Sequence, residues 1–205
     1  MDATARLWRV KSKTTASDMA DYRLISSNEA AAVLERGGVI AYPTETVWGI
    51  GCDATCSEAV RRVFAIKRRA EAKALITLVS GIGMLERWVD DIPEVAYELL
   101  EAAVDPLTVV YDHPRGLAPE LLAEDGSAGV RIVALPLFRR WHKPLVSTSA
   151  NISGEPSPRS LEEIAPEILE AVDAVVSPAD APPAAGKPST VVKLGDGGVF
   201  KILRK

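Results

Sequence analysis

Apolar and polar positions along this chain fall into short blocks of two periods. From Asn28 to Arg36 the alanines, Val33 and Leu34 recur at helical spacing, and Gly37 is placed to stop the helix. Val39-Ile40-Ala41-Tyr42 is a short apolar run that reads as a buried strand. Ser57 is positioned to cap a second helix, Glu58 suits its first turn, and Val60, Val63 and Phe64 share its apolar side. Ala74 to Val79 reads as strand, Pro93 opens a helix through Val104, and Leu107 to Tyr111 is strand-like again. His113-Pro114-Arg115-Gly116 reads as a turn, and Gly129 to Val133 and Pro144 to Ser147 are further runs of strand length. Ser160 and Glu163 form a capping-box pattern for another helix, restarted at Pro166.

The remainder changes character. Residues 178 to 188 (PADAPPAAGKP) hold four prolines in eleven positions, too many for a helix or a central strand, and predict a stiff surface loop that could act as a lid. Ser189 to Leu194 and Val199 to Arg204 flank Gly195-Asp196-Gly197-Gly198, a hairpin signal. Alternating strands and helices with a strand-rich tail predict an α/β or α+β domain. Residues 1 to 22 lack sustained periodicity and are expected to form an arm or an edge strand beside one domain spanning 23 to 205. There is no internal repeat.

Composition narrows the class. With 205 residues, 47% hydrophobic and 25% charged, the chain is globular and long enough to bury a core without disulfide or metal. Cys52 and Cys56 are the only cysteines, which excludes a disulfide scaffold and a four-cysteine zinc site; both read as inert small residues. His113 and His142 are far apart in sequence, so any triad or Cys/His centre would rest on one of them. No apolar run approaches the roughly 18 residues of a membrane span. The first residues carry Arg6, Arg9, Lys11 and Lys13 without the apolar core of a signal peptide, and a cytosolic protein is expected. A net charge of -4 argues against wholesale adhesion to nucleic acid or anionic membrane. Charge is nevertheless uneven, basic from Arg61 to Lys73 and acidic from residue 85 to residue 105.

Four segments carry candidate chemistry. Tyr42-Pro43-Thr44-Glu45-Thr46-Val47-Trp48-Gly49-Ile50-Gly51 follows a strand and offers hydroxyls, a carboxylate and glycines that let backbone approach closely. It is no Walker loop, since no Gly-Lys-Ser/Thr follows. Lys67 and Arg69 stand at the end of the second helix. If the helix frays there the two converge on one anion, a point charge beside a planar fork; a helix C-terminus also favours cations for dipole reasons alone. From Pro144 to Pro158 an apolar strand empties into a loop crowded with small donors, a form suited to binding anions. Lys187-Pro188-Ser189-Thr190 enters a strand just after the proline-rich loop.

Taken in order, YPTETVWGIGCD, AVRRVFAIKRR with KALI, DPLTVVY, GVRI, KPLVSTSANISGEPSP and the terminal PSTVV with ILR resemble the YrdC/Sua5 family, the threonylcarbamoyl-AMP synthases of tRNA modification. The match runs from residue 28 to 204 and is similar to the short, single-domain form. The resemblance implies a twisted mixed sheet curled around a concave site with flanking helices. It implies conversion of L-threonine, bicarbonate and ATP into threonylcarbamoyl-AMP and pyrophosphate, with Mg²⁺ carried in by ATP and no dedicated metal ligand. The product would pass to a downstream transfer enzyme that makes N6-threonylcarbamoyladenosine, with weak tRNA binding possible. By motif, Thr44, Ser147 and Ser189 are implied for threonine. Lys67, Arg69, Thr108, Ser149, Asn151, Ser157 and Arg204 are implied for ATP, with Lys67 and Arg69 on the phosphates, and Arg131 is the arginine of the VR motif. The alternatives are a non-catalytic RNA-binding module and a paralogue acting on another small acid.

Departures from the family pattern are local. Ala70 replaces the usual proline after the K-x-R arginine, and Val104-Asp105-Pro106 replaces Pro-Gly-Pro, so the approach to Thr108 is expected to differ. Leu78 stands where longer relatives carry a histidine, so that threonine contact is absent or replaced. Between Ile132 and His142 a helix is about one turn shorter. Removing about 3.6 residues keeps a helix in phase, so the fold is expected to survive with the altered geometry beside Ser147.

Overall fold

The computed structural model describes residues 21–68, 75–182, 188–195 and 199–204. Residues 1–20 of the arm expected over 1 to 22, Arg69, Ala70, Lys187, the centre of the proline-rich loop and the tip of the last hairpin lie outside the described residues.

Ten strands and five α-helices alternate along the described chain: β1 (Leu24–Ile25), α1 (Ser27–Glu35), β2 (Ile40–Tyr42), β3 (Gly49–Gly51), α2 (Ser57–Ile66), β4 (Ile76–Val79), α3 (Ile82–Trp88), α4 (Glu94–Ala102), β5 (Leu107–Tyr111), β6 (Ala128–Ile132), β7 (Leu145–Ser149), α5 (Pro166–Ala171), β8 (Ala174–Val176), β9 (Thr190–Leu194) and β10 (Phe200–Arg204). The strands form one mixed sheet in the order β1-β8-β2-β3-β7-β4-β6-β5-β9-β10. Its centre is β7, antiparallel to β3 on one side and to β4 on the other.

Strand periodicity sorts side chains onto two cores. Ile40, Tyr42 and Leu145 face one, which α1 covers with Ala30, Val33 and Leu34. Ala41, Ile50 and Val146 face the other, which α2 covers with Ala59, Val60, Val63 and Phe64. The altered stretch after β6 keeps its apolar face: a 3-10 turn, Pro136–Arg139, buries Leu137 and Phe138 in the first core, with Trp141 just beyond it.

Several local expectations need correction. The N-cap of α2 is Cys56 and makes no side-chain cap; Ser57 is already the first helical residue. The Ser160–Glu163 pattern yields a 3-10 turn, Leu161–Glu163, without a side-chain cap. There the Glu163 carboxylate accepts instead from the Arg159 N–H at 2.7 Å. A reciprocal capping box forms at Ser26 and Glu29, opening α1. The helix after Pro93 ends at Ala102, short of the exposed Val104.

α2 ends in a way that matters for the site. Arg68 has φ +50°, the left-handed region in which a β-carbon is strained. That turn carries the chain away from the helix and leaves Lys67 pointing inward. Among the described residues Arg68 pairs with Glu167, at 2.7 Å, and both partners are largely exposed, so the ion pair contributes little. Arg68→Gly is therefore expected to raise stability by about 0.5 kcal/mol, the relief of strain exceeding the small losses. Thermal denaturation of the two proteins checks the sign.

Candidate functional site

A cleft of about 510 Å³ opens along the sheet, lined from the turn before β3, the start of β4, and β5, β6, β7, β9 and β10. The backbone makes room for it where Gly49 and Gly129 present no side chain to its wall.

Thr44 and Thr46 are both buried and line the cleft. The Thr44 hydroxyl closes its own turn, donating to the Val47 carbonyl at 2.7 Å and accepting from the Thr46 N–H at 3.1 Å. The Thr46 hydroxyl lies 2.8 Å from it. Ser147, Ser149 and Ser157 also line the cleft. Thr108 on β5 and Ser189, the residue just before the parallel neighbour β9, bring their hydroxyls to 2.8 Å at the cleft. Arg204, from the antiparallel edge strand β10, donates to the Ser189 carbonyl at 3.0 Å. Burial, followed by the charge of Arg131, lowers the pKa of its guanidinium.

Arg131 is the second fixed cation of the wall. Its Nε stands 3.4 Å from Glu45 Oε1, close enough for an ion pair but without a hydrogen bond. Glu45 Oε2 and Arg131 Nε are buried with no hydrogen-bond partner among the described residues. The guanidinium is thus held electrostatically at the cleft with donor capacity to spare.

At the cleft edge Lys193 joins Asp125, and Asp125 Oδ1 accepts from the Ser127 hydroxyl at 2.6 Å. Lys193 and then Ser127 hold the Asp125 carboxyl well below the usual range, and Asp125 raises Lys193 in turn. Asp125, Ser127 and Lys193 are lining residues that sequence reasoning missed. Asp125 and Ser127 stand in the turn just before β6 and Lys193 on β9, and nothing in the sequence pattern marks those two segments as neighbours.

Lys67 does not line the cleft. Only 2% of it is exposed. Its Nζ donates to the Ser149 carbonyl at 2.5 Å, the Asn151 carbonyl at 2.7 Å and Asn151 Oδ1 at 3.2 Å. Asn151 is not a lining residue either; its amide nitrogen donates to the carbonyls of Glu155 at 2.6 Å and Ile152 at 3.0 Å. Leu78 is wholly buried in the first core. Cys52 is buried, and burial, then the neighbouring Cys56 and Asp53, push its thiol up, which suits an inert residue. No cluster of three or more His, Cys, Asp or Glu able to hold a metal occurs among the described residues. No helix among them is long and apolar enough to cross a membrane.

A curled mixed sheet bearing a cleft of hydroxyls and guanidiniums defines a class. The family model of Sua5, YciO and YrdC, described as "Telomere recombination", matches residues 32–205, and the chain belongs to that family. A threonylcarbamoyl-AMP synthase of Xanthomonas campestris pv. campestris is 43% identical over 159 residues, covering 72% of this chain and 82% of the relative. The crystal structure of P. abyssi Sua5 complexed with L-threonine superposes with a TM-score of 0.78 at 30% identity, over 87% of this chain and 53% of that one. This chain thus spans about half of that Sua5. YciO of E. coli has a TM-score of 0.76 at 21% identity, over 91% of this chain and 96% of its own, and shares the fold.

Proposed function

We propose that this chain is an L-threonylcarbamoyl-AMP synthase, joining L-threonine, bicarbonate and ATP into threonylcarbamoyl-AMP with release of pyrophosphate. The observation that carries this reading is the wall where Arg131, Arg204 and the hydroxyls of Thr46, Ser147, Thr108 and Ser189 converge on one cleft. Such a wall suits an amino-acid carboxylate and a phosphoryl group side by side. Threonine is assigned to the region of Thr44, Ser147 and Ser189, and the nucleotide to Thr108, Ser149, Ser157, Arg204 and Arg69.

The chemistry asks little acid–base work of the protein. The threonine amine attacks bicarbonate carbon and a C–O bond breaks with loss of water to give a carbamate, one of whose oxygens attacks the α-phosphate in line with departing pyrophosphate. The chain's part is to orient the two and hold developing phosphoryl charge with fixed donors. Mg²⁺ enters with ATP, held mainly by phosphate oxygens and waters. The proline-rich loop is assigned to exclude water. Its first turn is anchored where Asp180 accepts from the Ser27 N–H at 2.6 Å, and Pro188 at its far end lines the cleft. The labile product passes to a tRNA-modifying transfer enzyme, and the cytoplasm is the matching compartment.

Among the described residues of the basic run, Arg61, Arg62 and Arg68 pair with Glu120, Asp173 and Glu167, which favours the synthase reading over the RNA-binding one. The test is pyrophosphate release from purified protein with ATP, bicarbonate and threonine, without tRNA. Release is expected with threonine and about 10–200-fold weaker with serine, the range for one missing methyl. No release without tRNA overturns the reading.

A further inference from the structure

We infer that Lys193 is a further phosphate-binding residue of the cleft, aimed by Asp125 and donating to the phosphate chain of the nucleotide. The inference rests on the synthase reading and adds to it a contact that none of the sequence motifs carries.

Strand register sets Lys193 on the cleft wall. Ser147, Ile76, Gly129, Val110 and Lys193 are successive partners across β7, β4, β6, β5 and β9, so they form one row on one face of the sheet, and all five line the cleft. The neighbouring row holds Arg131, Thr108, Val191 and Arg204. Rows two residues apart lie roughly 7 Å from each other along the strands. The Lys193 ammonium thus belongs to the same wall as the two guanidiniums, one strand repeat further toward its open edge.

The fold alone gives little reason for a lysine there. Directly opposite Lys193 on β10 stands Lys201, and like charges opposed across an antiparallel pair are destabilising. The carboxylates that answer this charge are open to solvent: Lys193 is 33% exposed, Asp125 54%, and Asp112, 3.8 Å from the ammonium, 58%. Ion pairs this exposed contribute little to stability, so they offset the opposed lysines weakly.

For an anion the same arrangement is apt. An ammonium has three protons. Asp125 takes one and Asp112 stands beyond hydrogen-bond distance, so among the described residues two protons are uncommitted. Asp125 is itself fixed, its Oδ1 accepting from the Ser127 N–H at 3.0 Å and the Ser127 hydroxyl at 2.6 Å while Oδ2 faces Lys193. The carboxylate therefore aims the ammonium without exhausting it. A compact charge on a flexible stem can follow a phosphate chain that changes shape as pyrophosphate departs.

A phosphate contact and a plain tie between β9 and the turn before β6 differ in what their loss does to the two substrates. Arg204 and Ser189 belong to the same ribbon as Lys193, so a variant that merely distorts the ribbon disturbs the threonine region too. Affinities for ATP and, separately, for L-threonine are measured by calorimetry on the full chain, at low and high salt. The proteins are wild type, Lys193→Met, Lys193→Arg and Asp125→Asn, each first shown folded by near-ultraviolet circular dichroism.

Lys193→Met is expected to weaken ATP about tenfold while threonine affinity stays within about twofold. Its ATP binding should also depend less on salt, because one screened contact is gone. Lys193→Arg should keep most of the affinity, and Asp125→Asn, which leaves the charge but loosens its aim, should cost about threefold. Unchanged ATP affinity in Lys193→Met would make the pair a strand tie and overturn the inference. An equal loss for ATP and threonine would overturn it as well, being a distortion of the ribbon. If Lys193→Met fails to fold, Lys193→Gln decides by the same criteria. Wild-type protein that binds no ATP sinks the synthase reading itself, an outcome separate from any pattern among the variants.

Discussion

Replacing Arg131 with methionine is expected to cost about 2–3 kcal/mol of stability and at least about 30-fold in catalytic efficiency. The two losses have different origins. The Arg131 side chain is 5% exposed and that of its partner Glu45 is 21% exposed. Removing one member of a buried pair costs about 3–5 kcal/mol, because the other is left as an uncompensated charge, and the partial exposure of Glu45 places this case at or below the lower end. The catalytic loss arises from the cleft side, where truncating one partner of a desolvated charge pair costs about 2–5 kcal/mol, roughly 30-fold or more. A second substitution separates them. Glu45→Gln removes the stranded charge, so the double variant Arg131→Met/Glu45→Gln should regain much of its stability in urea unfolding while pyrophosphate release stays low. Recovery of activity in the double variant would remove Arg131 from the substrate site.

Gly51→Ala is expected to be more damaging to the fold than any cleft substitution. A β-carbon at that position would sit 1.8 Å from the Val146 carbonyl oxygen and 2.9 Å from its carbon. No rotamer relieves a clash between a β-carbon and main chain, so β3 must part from β7 at the middle of the sheet. Overpacking typically costs about 1–3 kcal/mol where side chains can yield. Here backbone must yield, and at least about 3 kcal/mol is expected, a large share of the roughly 5–15 kcal/mol that holds a domain together. Gly83→Ala is the matched control, since Gly83 lies in α3 with nothing within 4 Å of an added β-carbon. That change should stabilise by about 0.5–1 kcal/mol. Denaturant midpoints of opposite displacement are the expected observation; equal and small shifts would mean β3 is not fixed against β7.

The same glycine explains part of what the sequence concealed. Gly49-Ile50-Gly51 has almost no strand propensity, so β3 was hidden inside what reads as a loop motif. It is a strand because absent side chains let it approach Tyr42 and Val146. The longer apolar runs at Val39–Tyr42, Leu107–Tyr111 and Gly129–Val133 were legible because burial requires such runs. β1 and β8, at two and three residues, are too short for periodicity to reveal. In the site, the hydroxyl-rich loop after β7 and the Thr44 turn were legible as dense small donors leaving a strand. The place of Lys67 was not, since helix periodicity carries no warning that Arg68 turns left-handed. The Asp125–Lys193 edge was equally invisible, being made only when β9 closes on the loop before β6.

The order of strands has a consequence for how the molecule comes into being. Apart from the β2–β3 and β9–β10 pairs and β5 beside β6, neighbours in the sheet are distant in the chain: β1 and β2 both wait for β8, β3 and β4 both wait for β7, β4 also waits for β6, and β5 waits for β9. Loop closure over such separations must precede the contacts that reward it, which makes folding slow for a chain of this size. The cleft itself draws walls from Thr44 through Arg204. No amino-terminal portion ending before β9 can hold a complete site, and substrates meet a binding surface only after the sheet has closed.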